Sequence, residues 1–214
     1  MDNFLFDLDG TLTDPSLGIT KSVAYALRSY GIETENLSSL NKFIGPPLTD
    51  SFMRYYGFSE EEAVKAMWKY REYFSVTGLF ENEIYPHTEE MLSALKEKGK
   101  KLLIATSKPE IYTVEILKHF GIYKYFDFVA GNTLEEERAT KEAVIEYAIK
   151  ETGIDPKKSV MVGDRKFDIL AGKMFGMKTV GAEFGFPEEN ELTKAGADYI
   201  AKTSKDLKNI VLAL

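Results

Sequence analysis

The residues best suited to chemistry lie near the start of the chain, in the stretch NFLFDLDGTLTDP at residues 3–15. Asp7 and Asp9 stand one residue apart directly after an apolar run, and Asp14 follows closely. Carboxylates this close repel each other, and burial pushes one toward its neutral form unless a cation lies between them. The pair therefore belongs either to a turn that faces water or to a site that binds a positive group.

Other polar side chains follow apolar runs later in the chain. They are Thr106, Ser107 and Lys108 after KLLIA, Lys141 at the start of a helical pattern beyond FDFVAG, and Asp164 and Asp168 around the end of SVMVG. Each group alone has a structural interpretation: Ser107 suits a helix cap with Pro109 in the first turn, and Asp168 suits a helix N-terminus. Their shared position after apolar runs favours a common site.

The elements that carry these residues follow a simple pattern. From residue 85 onward, apolar runs alternate with helical stretches, which predicts a parallel sheet covered by helices on both faces. Residues 14–84 carry helical patterns instead, and Ser59 with Glu62 forms a capping-box signal among them. We therefore predict a doubly wound α/β core, residues 1–13 and 85–214, with an all-helical unit inserted after the first strand.

This architecture brings the polar groups together. Ligands of open α/β sheets bind at the carboxyl ends of the strands, so the carboxylates, hydroxyls and lysines meet at one edge and the insertion forms a lid there. Three bunched aspartates, Asp7, Asp9 and Asp164, favour Mg²⁺, which takes oxygen ligands. Hydroxyls and a lysine suit phosphate, and a carboxylate can act as nucleophile.

Composition restricts the remaining possibilities. The chain has 214 residues, a net charge of −7 and no cysteine. The acidic balance argues against nucleic-acid binding, and the lack of cysteine excludes disulfides and thiolate metal sites. Without a leader-like segment or a long apolar run, we expect a cytoplasmic protein that does not enter a membrane.

The motifs together resemble a known family. DLDGTLTD, a strand ending in ATS, a lysine that opens a helix, and GDRKFDI resemble the haloacid dehalogenase (HAD) superfamily over essentially the whole chain. The chain is similar to the phosphoglycolate-phosphatase-like group, and GITKSVAYAL, FIGPPLTDSF, GLFEN and ATSKPE resemble its 5'-nucleotidase-like branch. The resemblance implies a Rossmann-like core with a helical cap domain at residues 14–84.

The resemblance also implies roles for the aspartates. Asp7 would attack phosphorus and ligate Mg²⁺. Asp9 would protonate the leaving oxygen and later deprotonate a water, and its backbone carbonyl would be a second metal ligand. Asp164 would be the third ligand, while Asp168 would act from outside the ligand sphere, through a lysine or a bound water.

The phosphate and the substrate have their own implied contacts. Thr106 and the backbone of Ser107 would bind phosphate oxygens, and Lys141 would neutralise the nucleophile and the phosphate. Gly45 and Pro46 lie at the expected tip of the cap, which makes that loop a candidate for substrate specificity.

Three features of the sequence argue against other reactions known in the family. Dehalogenases lack the second aspartate that Asp9 supplies here. Sugar phosphomutases carry an arginine shortly after the glycine equivalent to Gly45, where this chain has Leu48. Phosphonate hydrolases use a cap lysine, and Lys65, the only lysine between Gly45 and Trp68, suits a helix surface.

We therefore predict a Mg²⁺-dependent phosphomonoester hydrolase that works through an aspartyl-phosphate, as a monomer or a homodimer. A nucleoside 5'-monophosphate and 2-phosphoglycolate are the leading substrates. The alternatives are a sugar-phosphate phosphomutase and a non-catalytic phosphate- or nucleotide-binding protein on the same fold.

Overall fold

The computed structural model describes all 214 residues, Met1–Leu214, and the chain forms two compact units. The first unit contains Met1–Thr13 and Ile84–Leu214, and the second contains Asp14–Glu83. None of the helices is both long and apolar enough to cross a lipid bilayer.

The first unit is built on a six-stranded sheet in the order β5-β4-β1-β6-β7-β8, with every neighbouring pair parallel. Its strands are β1 (Asn3–Phe6), β4 (Lys101–Pro109), β5 (Phe128–Asn132), β6 (Ser159–Gly163), β7 (Lys178–Ala182) and β8 (Tyr199–Ala201). Two short strands, β2 (Thr13–Asp14) and β3 (Glu83–Ile84), form a separate two-stranded sheet. The predicted α/β class with a parallel sheet is confirmed.

Helices connect the parallel strands, and a last helix follows β8. They are α4 (Thr88–Glu97), α5 (Glu110–His119), α6 (Lys141–Thr152), α7 (Lys166–Met174), α8 (Glu191–Lys194) and α9 (Ser204–Ala213). From β1 the chain adds β4 and β5 on one side through α4 and α5; α6 then returns it to β6 on the other side of β1, and α7 leads on to β7. Right-handed crossovers therefore place α4 and α5 on one face of the sheet and α6 and α7 on the other. The order of connections therefore reverses beside β1, the place where ligands of such sheets bind.

The central strands are buried because helices cover both faces of the sheet. All four residues of β1 and all five of β6 are buried, which matches their continuous apolar runs. On one face, Leu5, Leu103 and Met161 pack with Val144 and Ile145 of α6. This core fixes the strand ends that carry the polar residues.

Aspartates secure the two outermost strands. Asp127, just before β5, accepts the Leu102 N–H at 2.8 Å, and Asp198, just before β8, accepts the Thr179 N–H at 2.8 Å. Each carboxylate also meets a lysine, Lys96 in the first case and Lys173 in the second. An aspartate that binds a backbone N–H and a lysine therefore stabilises the start of each edge strand.

The second unit is helical, with α1 (Ser16–Arg28), α2 (Leu48–Tyr56) and α3 (Glu60–Tyr73). The predicted capping box at the start of α3 is present: the Ser59 side chain accepts the Glu62 N–H, and the Glu62 carboxylate accepts the Ser59 N–H. Gly57 ends α2 in the left-handed conformation. A 3₁₀ helix at Leu37–Phe43 and a π-helix at Phe74–Gly78 complete the unit.

Two local expectations were wrong. Ser107 does not cap α5, and Pro109 does not lie in its first turn; Pro109 is the N-cap, and no side chain caps that helix. The reason is that β4 continues to Pro109, which pairs with Asn132 after a shift in register beyond Ala105. The helical pattern in EENELTKAG, residues 188–196, forms only the single turn Glu191–Lys194.

Candidate active site

The site begins in a tight loop after β1. The Leu8 carbonyl accepts the N–H groups of Thr11, Leu12 and Thr13, and the Gly10 N–H donates to the Thr13 carbonyl at 2.8 Å. Gly10 has φ +77°, a conformation that glycine adopts at low cost. Directly before this loop, Asp7 is 6% exposed and its Oδ1 accepts the Leu8 N–H at 2.8 Å.

A buried lysine at the start of α6 joins two of the aspartates. The Lys141 ammonium lies 3.1 Å from Asp7 Oδ1 and 2.8 Å from Asp168 Oδ1, and it donates to the Ala105 carbonyl at 2.9 Å. Burial alone would lower the pKa of Lys141, but the carboxylates of Asp168 and Asp7 raise it above its usual value. The two carboxylates therefore favour the charged form of Lys141 inside the site.

A second buried lysine pairs with the other aspartate of the first motif. The Lys108 ammonium lies 2.7 Å from Asp9 Oδ2, and the two side chains are 6% and 12% exposed. Lys108 follows the register shift in β4, and its N–H donates to Thr106 Oγ1 at 3.3 Å. Asp9 Oδ1 is buried and has no hydrogen-bond partner.

Asp164, at the end of β6, is held from the loop after β7. Its Oδ2 accepts the Phe186 N–H at 2.7 Å, while its buried Oδ1 has no hydrogen-bond partner. The neighbouring Gly185 leaves no room for a side chain, because a Cβ there would lie 2.3 Å from the Gly10 carbonyl oxygen and 2.6 Å from Asp164 Oδ2. This segment, residues 183–190, is called the strap below.

The strap is anchored by a buried ion pair. Glu191 accepts the Lys166 N–H at 2.8 Å and the Glu188 N–H at 2.6 Å, and it contacts Arg165 Nε at 3.2 Å. Lys166 opens α7, so the end of the strap is tied to the helix that follows Asp164. The strap, which binds Asp164 through the Phe186 N–H, is therefore also held at its far end by the residues that follow Asp164.

Burial and mutual repulsion shift the carboxylates toward their neutral forms. Burial raises the pKa of Asp164 well above its usual value, and repulsion from Asp7 and Asp168 adds to the effect. Burial raises the pKa of Asp168 to about 6, against the opposing attraction of Lys141. Burial also raises the pKa of Asp9, although Lys108 opposes it.

The site carries more negative than positive charge, which favours the binding of a divalent cation. Four carboxylates, those of Asp7, Asp9, Asp164 and Asp168, share two ammonium groups. Oxygens of Asp7, Asp164 and Asp168 lie within 4.8 Å of one another. These oxygen donors, with the unpartnered Oδ1 of Asp164, fit Mg²⁺, which prefers carboxylate and carbonyl oxygens.

The sequence-predicted residues divide between the two units. The first unit contains Asp7, Asp9, Thr106, Ser107, Lys141, Asp164 and Asp168 at successive ends of β1, β4 and β6 and at the starts of α6 and α7. Gly45 and Pro46 belong to the second unit, where Gly45 has φ +101°.

Sequence reasoning missed two features of the site. It left Lys108 without a role, although the TSK run placed this residue beside Thr106. It gave the strap no role, because its residues fall between the end of a strand pattern, KTVGAEF, and the start of a helical pattern, EENELTKAG; the only signal for its importance is the glycine between two phenylalanines in FGF at residues 184–186.

Comparison with known proteins identifies the class. The profile of the haloacid dehalogenase-like hydrolase family matches residues 4–182, so the chain belongs to this family and the predicted resemblance is confirmed. Within the family it is an enzyme of the phosphatase type.

Three similar proteins are informative. A 5'-nucleotidase of Pseudomonas aeruginosa is 44% identical over 89% of this chain and 86% of its own length. A solved structure described as a predicted phosphatase from Clostridium acetobutylicum is 46% identical, with a TM-score of 0.96 over 100% of this chain and 99% of that one. Tyrosine-protein kinase PtkA of Mycobacterium tuberculosis is 35% identical over 94% of this chain, which spans 65% of that protein.

Proposed function

We propose that the chain is a Mg²⁺-dependent phosphomonoester hydrolase in which Asp7 forms an aspartyl-phosphate. The observation that carries this proposal is the buried group of carboxylates around Lys141, with Asp7 held by both Lys141 and the Leu8 N–H. Phosphoryl transfer depends mainly on positioning and on neutralising charge, and this arrangement supplies both.

In the first step, an oxygen of Asp7 attacks phosphorus. The Asp7 O–P bond forms while the bond from phosphorus to the leaving oxygen breaks, and that oxygen keeps the electron pair. Protonated Asp9 gives its proton to the leaving oxygen, so the alcohol departs neutral. Lys141 compensates the charge on Asp7 and on the transferred group.

In the second step, water attacks the phosphorus of the aspartyl-phosphate. Asp9, now a carboxylate, takes a proton from this water. The bond between phosphorus and Asp7 breaks, the Asp7 carboxylate is restored, and inorganic phosphate leaves. Asp9 ends the cycle protonated and ready for another substrate.

Phosphate contacts come from the end of β4. The Thr106 hydroxyl accepts the Lys108 N–H, which leaves its own proton free to donate to a phosphate oxygen. The Ser107 N–H would be a second donor, from the same irregular stretch of β4. These groups, with Lys141, would hold the phosphate in line with Asp7.

Mg²⁺ would be held by Asp7, the backbone carbonyl of Asp9 and Asp164, and when bound it neutralises phosphate charge and orients the phosphate. The free Oδ1 of Asp164 supports its role as a ligand. Both oxygens of Asp168 are engaged, by Lys141 and by the Arg165 N–H, which favours its predicted role outside the ligand sphere.

The substrate we propose is a small phosphomonoester, with a nucleoside 5'-monophosphate first and 2-phosphoglycolate second. The similarity to a 5'-nucleotidase over most of both chains supports that order. The helical unit, and in it the loop of Gly45 and Pro46, would act as the cap that selects the substrate in a cytoplasmic enzyme.

The test is Mg²⁺-dependent phosphate release from a panel of 2-phosphoglycolate, nucleoside 5'-monophosphates, β-glucose 1-phosphate and an aryl phosphate. We expect one nucleotide to exceed the others about 100-fold in kcat/KM, a preference of about 2.7 kcal/mol. Isomerised glucose phosphate formed faster than phosphate would instead indicate a phosphomutase. Mg²⁺ binding without turnover on any ester would indicate a binding protein.

A further inference from the structure

Lys108 is a buried cation to which the proposed reaction assigns no role. Its ammonium group lies 2.7 Å from Asp9 Oδ2, with the lysine side chain 6% exposed. Burying an ammonium group is costly unless a partner compensates its charge. A lysine in this position therefore needs a physical reason beyond filling space.

The backbone around Lys108 is shaped to direct this lysine into the site. β4 loses its register with β5 beyond Ala105 and recovers it at Pro109, so the intervening residues leave the regular ladder. In this irregular stretch the Lys108 N–H bonds to Thr106 Oγ1. Lys108 thus contacts a proposed phosphate ligand through its backbone and Asp9 through its side chain.

The ion pair makes the two carboxylate oxygens of Asp9 different from each other. Oδ2 faces the ammonium group at 2.7 Å, whereas Oδ1 is buried without a hydrogen-bond partner. A carboxyl group that rotated freely would present either oxygen, and a displaced proton donor loses much of its catalytic effect. With Oδ2 occupied, Oδ1 is the oxygen left to exchange a proton.

We propose that Lys108 is a positioning residue that holds Asp9 so that Oδ1 delivers the proton to the leaving oxygen. This inference rests on the proposed function, because it assigns a support to the acid of that reaction. Lys141 contacts Asp7 in a similar way, while also pairing with Asp168, so Asp7 and Asp9 each meet a different buried lysine.

The test compares two esters whose leaving groups differ in their need for a proton. The departing 4-nitrophenolate is stable as an anion, whereas the alkoxide from a nucleoside 5'-monophosphate requires protonation. We expect Lys108→Met to lower kcat/KM about 100-fold for the nucleotide but less than about tenfold for 4-nitrophenyl phosphate, since general acid catalysis contributes about 10²–10⁴-fold. Lys108→Arg, which keeps the charge, should recover most of the difference.

A double variant shows whether the effect passes through Asp9. In the Asp9→Asn background, Lys108→Met should cause no further change in the ratio of the two kcat/KM values, because the residues act as one unit. Lys118→Met, which removes an exposed lysine of α5, is the matched control and should leave the ratio unchanged.

If Lys108→Met lowers kcat/KM equally for both esters, or not at all, the ratio of the two values stays unchanged and the inference is overturned. If methionine is not accommodated, as judged by circular dichroism and thermal unfolding, Lys108→Gln replaces it and the same ratio decides. Full turnover by Asp7→Asn, in contrast, would refute the proposed function itself. A wild-type protein that hydrolyses neither ester would overturn both.

Discussion

The three carboxylates proposed to take part in the reaction or to bind the metal each have one oxygen secured by a neighbour. Asp7 Oδ1 accepts the Leu8 N–H and meets Lys141, Asp9 Oδ2 meets Lys108, and Asp164 Oδ2 accepts the Phe186 N–H. The second oxygen of each group is then left for phosphorus, a proton or a metal. Keeping one oxygen of each carboxylate paired and the other available requires that the paired groups stay at fixed positions.

Gly185 is the neighbour that allows the strap to approach Asp164. Its φ lies outside the left-handed region, so conformational freedom is not the reason for a glycine here. The reason is space, because any Cβ would collide with the Gly10 carbonyl and with Asp164. A side chain at this position must move either the strap or the Asp164 carboxylate.

Gly185→Ala should therefore weaken Mg²⁺ binding while the fold survives. We expect the affinity to fall about 10- to 100-fold, the range found when groups that orient metal ligands are changed. Isothermal titration of the purified, metal-free protein with Mg²⁺ measures this directly and requires no turnover.

Glu189→Ala, an exposed substitution in the same strap, is the control and should bind Mg²⁺ as the wild type does. Unchanged Mg²⁺ affinity in Gly185→Ala would show that the strap does not orient Asp164. Circular dichroism of both variants separates loss of the site from loss of the fold.

Sequence reasoning predicted the aspartates, Thr106 and Lys141 because strand ends of a parallel sheet meet at one edge. It could not predict that Lys108 contacts Asp9, since this depends on a register shift in β4 that no local pattern encodes. The Glu191 anchor was missed for a similar reason: a glutamate in a polar stretch usually faces water, and its partner Arg165 is 26 residues away.

At the scale of elements, the edge strands β5 and β8 depend on aspartates at their starts. Burial alone would raise the pKa of Asp198, but the Thr179 N–H and hydroxyl and the nearby Lys173 lower it below its usual value. The charged form is thus favoured in the folded state. The folded-state pKa lies below that of the unfolded chain, so this carboxylate stabilises the fold above the unfolded pKa of about 3.9.

Asp198→Asn should destabilise the protein by about 1 kcal/mol at neutral pH, a value discounted for partial exposure of the Lys173 pair. As pH falls through the lowered pKa of Asp198, the wild-type contribution is lost and the difference between the two proteins should shrink. Urea unfolding at a series of pH values measures the difference.

Asp2→Asn is a suitable comparison, because the Asp2 side chain has only a long, exposed contact with Lys158 at 3.9 Å. We expect its free energy of unfolding to match the wild type at every pH. A difference for Asp198→Asn that stays constant from pH 7 to below the aspartate pKa would contradict the role of the charge.

The order of elements was predictable because each central strand is an uninterrupted apolar run and each helix has its own periodicity. The exact ends of individual helices and strands were less predictable. Ser107 had the residue type of a helix cap, yet strand pairing by Pro109 prevailed over that preference. The 3₁₀ helix at Leu37–Phe43 was not predicted, because short helices of this kind carry little periodic signal.

At the scale of the whole molecule, the parallel sheet gathers negative charge at the point where its connections reverse beside β1. The protein as a whole is also acidic, with a net charge of −7. A buried excess of carboxylates is tolerated when a cation is bound, and the phosphate of a substrate then meets a site that is no longer repulsive. In the proposed reaction, metal binding and catalysis would therefore be linked by charge.

The most direct test of this account is Mg²⁺-dependent phosphate release by the wild type and by Asp7→Asn, measured on the best ester of the panel. We expect phosphate release to require Mg²⁺ and to stop when the metal is chelated. In Asp7→Asn it should fall at least about 10³-fold, a loss of about 4 kcal/mol in transition-state stabilisation. Wild-type rates in a folded Asp7→Asn protein, or full activity without Mg²⁺, would contradict this account.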